Sequence, residues 1–258
     1  MSSSPRVRYL IVGMARSGTT ATHHVVYGHP AASAMHDEGK VDPLFTQGVS
    51  TFAVGGRNPQ HTREQYAALF DLLTLHAPGP GATRAAVTAN GMKVVTQAPA
   101  EAGALVDCLV ESFPDARIVH VRRGDLLAQF ASLERASRTG VWHTRHASPS
   151  GPRAGAGVDD DAAPRPLDAA RFARYLETCA AVEAQLLRLR RTHRVHEVSY
   201  ERDILPNDPA RAAALFEFLG LPAVPPTWMQ LTKTSPPLET FVSNVAELRA
   251  VQDEQARR

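Results

Sequence analysis

Five consecutive residues, Arg16-Ser17-Gly18-Thr19-Thr20, bring together one guanidinium, three hydroxyls and a glycine. They close the string "GMARSGTT", in which Gly13 and Gly18 stand in G-x-x-x-x-G spacing. Between a strand and a helix, that spacing lets successive backbone N–H groups and the helix N-terminus enclose an anion. Gly18 lets the backbone approach such a ligand closely. In the ATP-binding form of this loop a lysine follows the second glycine. Here Thr19 holds that place, Thr20 follows, and the cation is Arg16, inside the loop. The usual lysine and Mg²⁺ neutralise the crowded charge of a triphosphate. A loop without that lysine suits a less charged group. A phosphosulfate, which is transferred without a metal, fits two hydroxyls, backbone amides and one guanidinium.

A second constellation lies in "ARIVHVRRGDLLAQFASLERASRTGVWH", residues 116–143. An apolar strand ends in Arg122-Arg123, and Gly124-Asp125 opens a helix that carries Ser132. An arginine at a strand tip supplies a fork and a serine on the next helix a donor, so the two can converge on one phosphate.

On these two motifs the chain resembles the sulfotransferases that use 3′-phosphoadenosine 5′-phosphosulfate (PAPS). "GMARSGTT" resembles their 5′-phosphosulfate loop. The second string resembles the bacterial carbohydrate-type branch. The resemblance implies that Arg16 contacts the sulfuryl or bridging oxygen, while Ser17, Gly18, Thr19 and Thr20 hold the 5′-phosphate. It also implies that an arginine and Ser132 hold the 3′-phosphate. The family spacing places this arginine eight residues before the serine. Here Gly124 stands in that place, Arg123 one residue earlier and Arg122 one earlier still. Arg123 is therefore the first choice and Arg122 the second. The segment "VHEVSYERDILPNDPARAAALFEFLGLP" (195–222) resembles a scaffold segment of the family, with Tyr200 and Glu201 expected to be mainly structural. Lys233 falls in a similar C-terminal segment, where the resemblance would let it reach the cofactor; it is read first as a solvated lysine.

Transfer to an alcohol needs a base for the hydroxyl proton and cations near the bridging oxygen. "MHDEG" offers His36, Asp37 and Glu38 at the end of the second strand, where ligands gather in doubly wound sheets. The family places a glutamate here in its carbohydrate-type branch, so Glu38 is the expected base and His36 the alternative. Lys93 falls where the family carries a lysine on a central strand, beside Thr96 and Gln97 as candidate acceptor contacts. Trp142 and His143 are candidates to line the acceptor cleft.

These residues must be positioned by alternating elements. Strands are expected at 8–13, 31–36, 92–97, 116–121 and 193–200. The first and fourth are nearly continuous apolar runs, as in parallel strands covered on both faces. Helices are expected at 18–28, 62–76, 99–113, 125–139, 168–192, 208–219 and 244–256. Within 168–192, Phe172, Leu176, Cys179, Val182, Leu186 and Leu189 form one amphipathic face. Asp208 and Pro209 suit N-cap and first-turn positions, with Gly220 as terminator. The order implies a doubly wound α/β domain with a mainly parallel sheet, phosphate-loop NTPase-like topology and helices on both faces. It is expected to be one domain over 1–258, with 146–166, rich in Pro, Gly and Asp, as a mobile or disordered lid or insert.

Composition narrows the function. Of 258 residues 43% are hydrophobic and 21% charged, and the net charge of +2 gives no basic field for nucleic acid. The two cysteines, Cys108 and Cys179, form neither a metal pair nor a disulfide framework. No apolar run has the length of a signal core or a membrane span, so a cytoplasmic location is expected. The expected activity is PAPS-dependent sulfuryl transfer, without a metal, to a hydroxyl of a small-molecule or glycan acceptor (carbohydrate, lipid or secondary metabolite). An ATP-dependent small-molecule kinase would need a carboxylate where the fourth strand offers two arginines. A non-catalytic nucleotide- or glycan-binding module is the third reading.

Overall fold

Tyr9, Leu10, Ile11 and Val12 alternate between two hydrophobic cores, one on each face of a sheet. A computed structural model describes residues 7–34, 88–139, 163–206, 208–222 and 237–257. The strands are β1 (Val7–Met14), β2 (Ala32–Ala34), β3 (Ala89–Thr96), β4 (Arg117–Arg122) and β5 (Val195–Ser199). They pair in the order β2-β3-β1-β4-β5, and every pairing is parallel. The helices are α1 (Thr19–Tyr27), α2 (Pro99–Ser112), α3 (Leu126–Thr139), α4 (Ala169–Leu187), α5 (Pro209–Leu219) and α6 (Val245–Ala256).

On one face Leu10, Val12, Met92, Val94 and Ile118 pack with Leu105, Val106 and Leu109 of α2 and Val182 and Leu186 of α4. On the other, Tyr9, Ile11, Val119, Val121 and Val198 pack with Val25 and Val26 of α1 and Leu215, Phe216 and Leu219 of α5. Successive side chains of a strand point to opposite faces, so a run that is apolar throughout must be covered on both. The expected α/β class, parallel sheet and two helical layers are all present.

The chain forms two compact units. The first is Met1–Gly124 with Thr178–Leu231 and contains the sheet; the second is Asp125–Glu177 with Thr232–Arg258. In the second, Leu127 and Phe130 of α3 pack with Phe172 and Leu176 of α4 and with Val242 and Leu248. Asp125 caps α3 by accepting the Ala128 N–H at 3.0 Å and binds both outer nitrogens of Arg249, at 2.9 and 3.1 Å. Helix α4 contributes its first half to this unit and its second half to the other.

Elements depart from expectation where pairing overrides local preference. β3 begins at Ala89, three residues before the expected 92, because β1 pairs with it along its whole length, from Val7↔Ala89 to Met14↔Thr96. Ala, Asn and Gly have poor strand propensity, and burial beside β1 supplies what propensity lacks. β5 starts only at Val195: the His193 ring is engaged by Thr192 Oγ1 and the Phe113 carbonyl before the strand begins. The helix expected to continue to 192 ends at Leu187 and tightens into a 3₁₀ turn over Arg188–Arg191. Asp208 caps α5 through the Ala210 N–H at 2.9 Å, and Gly220 ends it in the left-handed conformation at φ 70°. The helix expected at 62–76 and most of the 146–166 insert lie outside the described residues. No helix among those described is long and apolar enough to cross a membrane.

Candidate functional site

From β1 the chain crosses through α1 to β2 and returns to β3 on one side of β1, then crosses through α2 to β4 on the other. This reversal makes the carboxyl end of β1 the switch point at which α/β sheets bind ligands. The loop Met14–Gly18 lies there.

Two backbone features shape it. Arg16 has φ 64°, the one non-glycine residue with positive φ among those described. A side chain in that region costs about 1–3 kcal/mol and persists only where the surroundings hold it. Gly18 has φ 100°, and a Cβ there would stand 2.3 Å from Tyr200 Cδ2, so only glycine fits. Gly13 is also required: its Cβ would lie 2.6 Å from the Val121 carbonyl oxygen of β4.

Gly18 is the N-cap of α1, and no side chain caps the helix or places an acid in its first turn. The first N–H groups of a helix have no partner within it, and the aligned peptide dipoles make that end attractive to anions. Just before it, Ser17 is 2% exposed, and its hydroxyl has no hydrogen-bond partner among the described residues. A buried hydroxyl without a partner is costly, and a bound anion at the helix end would satisfy it. Thr19 is buried, whereas Thr20 is partly exposed. Lys93, from β3, donates to Thr20 Oγ1 at 2.8 Å. It lies between Met92 and Val94, which both point into the α2 side, so the strand's alternation turns it toward α1.

The two arginines at the tip of β4 diverge. Arg123, whose side chain is 10% exposed, donates from Nη1 to the Arg16 carbonyl at 3.1 Å and lies over the Tyr200 ring at 5.0 Å. Glu201 accepts the Gly124 N–H at 3.0 Å, and its other oxygen stands 3.7 Å from Arg123 Nε. Arg122, half exposed, pairs through Nε with Glu183 of α4 at 2.9 Å; Glu183 also meets His120 Nε2 at 3.2 Å. Burial alone would raise the Glu183 carboxyl. The His120 hydrogen bond and the charges of His120, Arg122 and Arg190 outweigh it and hold the carboxyl below the usual range.

The first unit therefore brings together Arg16, Ser17, Gly18, Thr19, Thr20, Lys93 and Arg123. Arg122 turns aside to Glu183. Ser132 is buried on α3 in the second unit. Glu38, His36, Trp142, His143 and Lys233 lie outside the described residues. Thr96 is fully buried at the end of β3, and the Gln97 N–H is held by Glu101 Oε2 at 2.7 Å. Of Tyr200 and Glu201, both expected as scaffold, Tyr200 stands against Gly18 of the loop, while Glu201 meets Gly124 and Arg123. The two begin a π-helical turn, Tyr200–Ile204, directly after β5. No spacing in the sequence announces that turn.

The model of the Sulfotransferase family matches residues 9–226. Comparison with curated protein sequences gives no significant match. Among solved structures, a sulfotransferase from Alicyclobacillus acidocaldarius aligns over 99% of this chain and 100% of its own, with 17% identity and a TM-score of 0.50. A sulfotransferase from Mycobacterium tuberculosis H37Rv aligns over 99% and 78%, with 16% identity and a TM-score of 0.49. The sulfotransferase domain of the Synechococcus PCC 7002 olefin synthase aligns over 97% and 89%, with 17% identity and a TM-score of 0.47. At the identity of the first, the likeness is one of fold.

Proposed function

The chain belongs to the sulfotransferase family, and from that premise we propose that it transfers a sulfuryl group from PAPS to a hydroxyl of a carbohydrate, lipid or secondary-metabolite acceptor. The observation that carries this reading is the uncapped start of α1. There the buried Ser17 hydroxyl lacks a partner and Lys93 reaches Thr20 from the neighbouring strand. This is an anion cradle whose cations arrive from Arg16 and from β3 rather than from the usual loop lysine.

The donor supplies a sulfuryl group on a phosphate that leaves well. Loop amides, Ser17, Thr19 and Thr20 hold its 5′-phosphate. Arg16 and Lys93 face the bridging oxygen, where negative charge grows as the S–O bond breaks. Glu38, or His36 in its place, takes the proton of the acceptor hydroxyl as that oxygen bonds to sulfur from the opposite side. The products are the sulfate ester and adenosine 3′,5′-bisphosphate. Arg123, ahead of Arg122, which pairs with Glu183, is assigned to the 3′-phosphate, and the resemblance adds Ser132.

Titration calorimetry with adenosine 3′,5′-bisphosphate and with ADP, each with and without Mg²⁺, tests the donor. Metal-independent preference for the bisphosphate is expected. Preference for ADP with Mg²⁺ would establish a nucleotide kinase instead. Full turnover by Glu38→Ala with a competent acceptor would remove Glu38 as the base while leaving the donor reading intact.

A further inference from the structure

The left-handed Arg16 raises the question of what holds it there. Its carbonyl accepts Nη1 of Arg123, a side chain only 10% exposed and so unable to swing freely to solvent. The same guanidinium lies on the face of Tyr200, and that ring is pressed so close to Gly18 that no Cβ fits between them. Glu201 fixes the other side by accepting the Gly124 N–H beside Arg123 and placing its second oxygen 3.7 Å from Arg123 Nε. The wide turn of the π-helix directs the consecutive residues Tyr200 and Glu201 to the same neighbourhood, which an extended strand would send to opposite faces. Both ends of the strained segment, Arg16 and Gly18, are thus braced, by Arg123 just after β4 and by Tyr200 in the turn after β5.

We propose that Arg123 and Glu201 are a positioning pair for the phosphate loop. Through the Arg16 carbonyl they hold the conformation that aims the Gly18 N–H and the first amides of α1 at the 5′-phosphate, while the Ser17 N–H closes the loop on the Met14 carbonyl at 3.2 Å. Successive N–H groups around a left-handed residue form an anion-binding concavity, and the brace keeps that concavity formed before the ligand arrives. This extends the donor reading above: Arg123 has a task at the 5′ end that is separate from any contact with a 3′-phosphate.

AMP separates the two tasks because it carries the 5′-phosphate and lacks the 3′ one. Arg123→Ala is expected to weaken AMP binding about tenfold, the size of one charge-assisted hydrogen bond. Arg123→Lys should restore part of the loss, and Glu201→Gln should weaken AMP binding severalfold. In the ligand-free protein, amide exchange over 13–20 should accelerate in Arg123→Ala and Glu201→Gln. If Arg123→Ala does not fold, the lysine and glutamine variants carry the same comparison. Unchanged AMP affinity and unchanged exchange, with loss confined to adenosine 3′,5′-bisphosphate, would overturn the proposal. Failure of the wild-type protein to bind either nucleotide would overturn the donor reading instead, and the exchange measurement would still decide the brace.

Discussion

Lys93 Nζ stands 2.8 Å from Thr20 Oγ1, across 73 positions of sequence. The loop lacks a lysine after its second glycine, and the adjacent strand brings one to the hydroxyl that follows. On the donor reading, the charge that a nucleotide-binding loop ordinarily carries in its own sequence is delivered here through sheet order.

Replacing Lys93 by methionine should therefore act on the transition state more than on binding. On the donor reading, kcat falls about 10²-fold, the usual cost of removing one group that stabilises developing charge. The dissociation constant of adenosine 3′,5′-bisphosphate changes much less. Steady-state kinetics beside calorimetry checks the split, and equal losses in both would make Lys93 a ground-state ligand.

Gly18→Ala meets two obstacles at once, a φ of 100° and the Tyr200 ring 2.3 Å from the new Cβ. The strain alone is about 1–3 kcal/mol, and the ring must also move. A lowered melting temperature together with loss of nucleotide binding is expected. Wild-type affinity in this variant would mean that the loop does not bind the phosphate in this conformation.

Asp208→Ala removes the side-chain cap of α5. Loss of a cap typically costs about 1 kcal/mol, so the urea midpoint should fall while nucleotide affinity stays at the wild-type value. An unchanged midpoint would show that water replaces the cap without cost.

Acid should weaken the fold partly through Glu183. Its carboxyl is held below the ordinary range by His120 and the neighbouring arginines, against the opposing effect of burial. A carboxyl with a depressed folded value stabilises the protein above its unfolded value of about 4.3. That contribution is lost as pH falls through the folded value. Glu183→Gln should flatten this acid limb in pH-dependent denaturation curves, and an identical limb in variant and wild type would exclude Glu183 as its source.

Much of the scaffold is legible in single segments. The apolar run around Tyr9–Val12, the glycines at 13 and 18, and the Asp208-Pro209 start and Gly220 stop of α5 are set by burial, steric freedom and hydrogen bonds between near neighbours. The start of β3 was not legible: Ala89, Asn90 and Gly91 become strand only because β1 lies beside them. Spacing from Ser132 put Arg123 ahead of Arg122 but did not say what either one meets. Adjacent residues at a strand tip point opposite ways, and only their surroundings show that one meets Glu183 and the other the Arg16 carbonyl.

The sequence by itself determined a strand, glycine-turned loop and helix, the parallel α/β class and the family. Those depend on backbone conformation and on the period of apolar residues, which the chain specifies locally. Tertiary structure alone decided that Lys93 reaches Thr20, that Arg123 braces a residue 107 positions away, and that Tyr200 closes on Gly18. Strand order and a π turn set these contacts, because two side chains distant in sequence meet only when the sheet brings their backbones together.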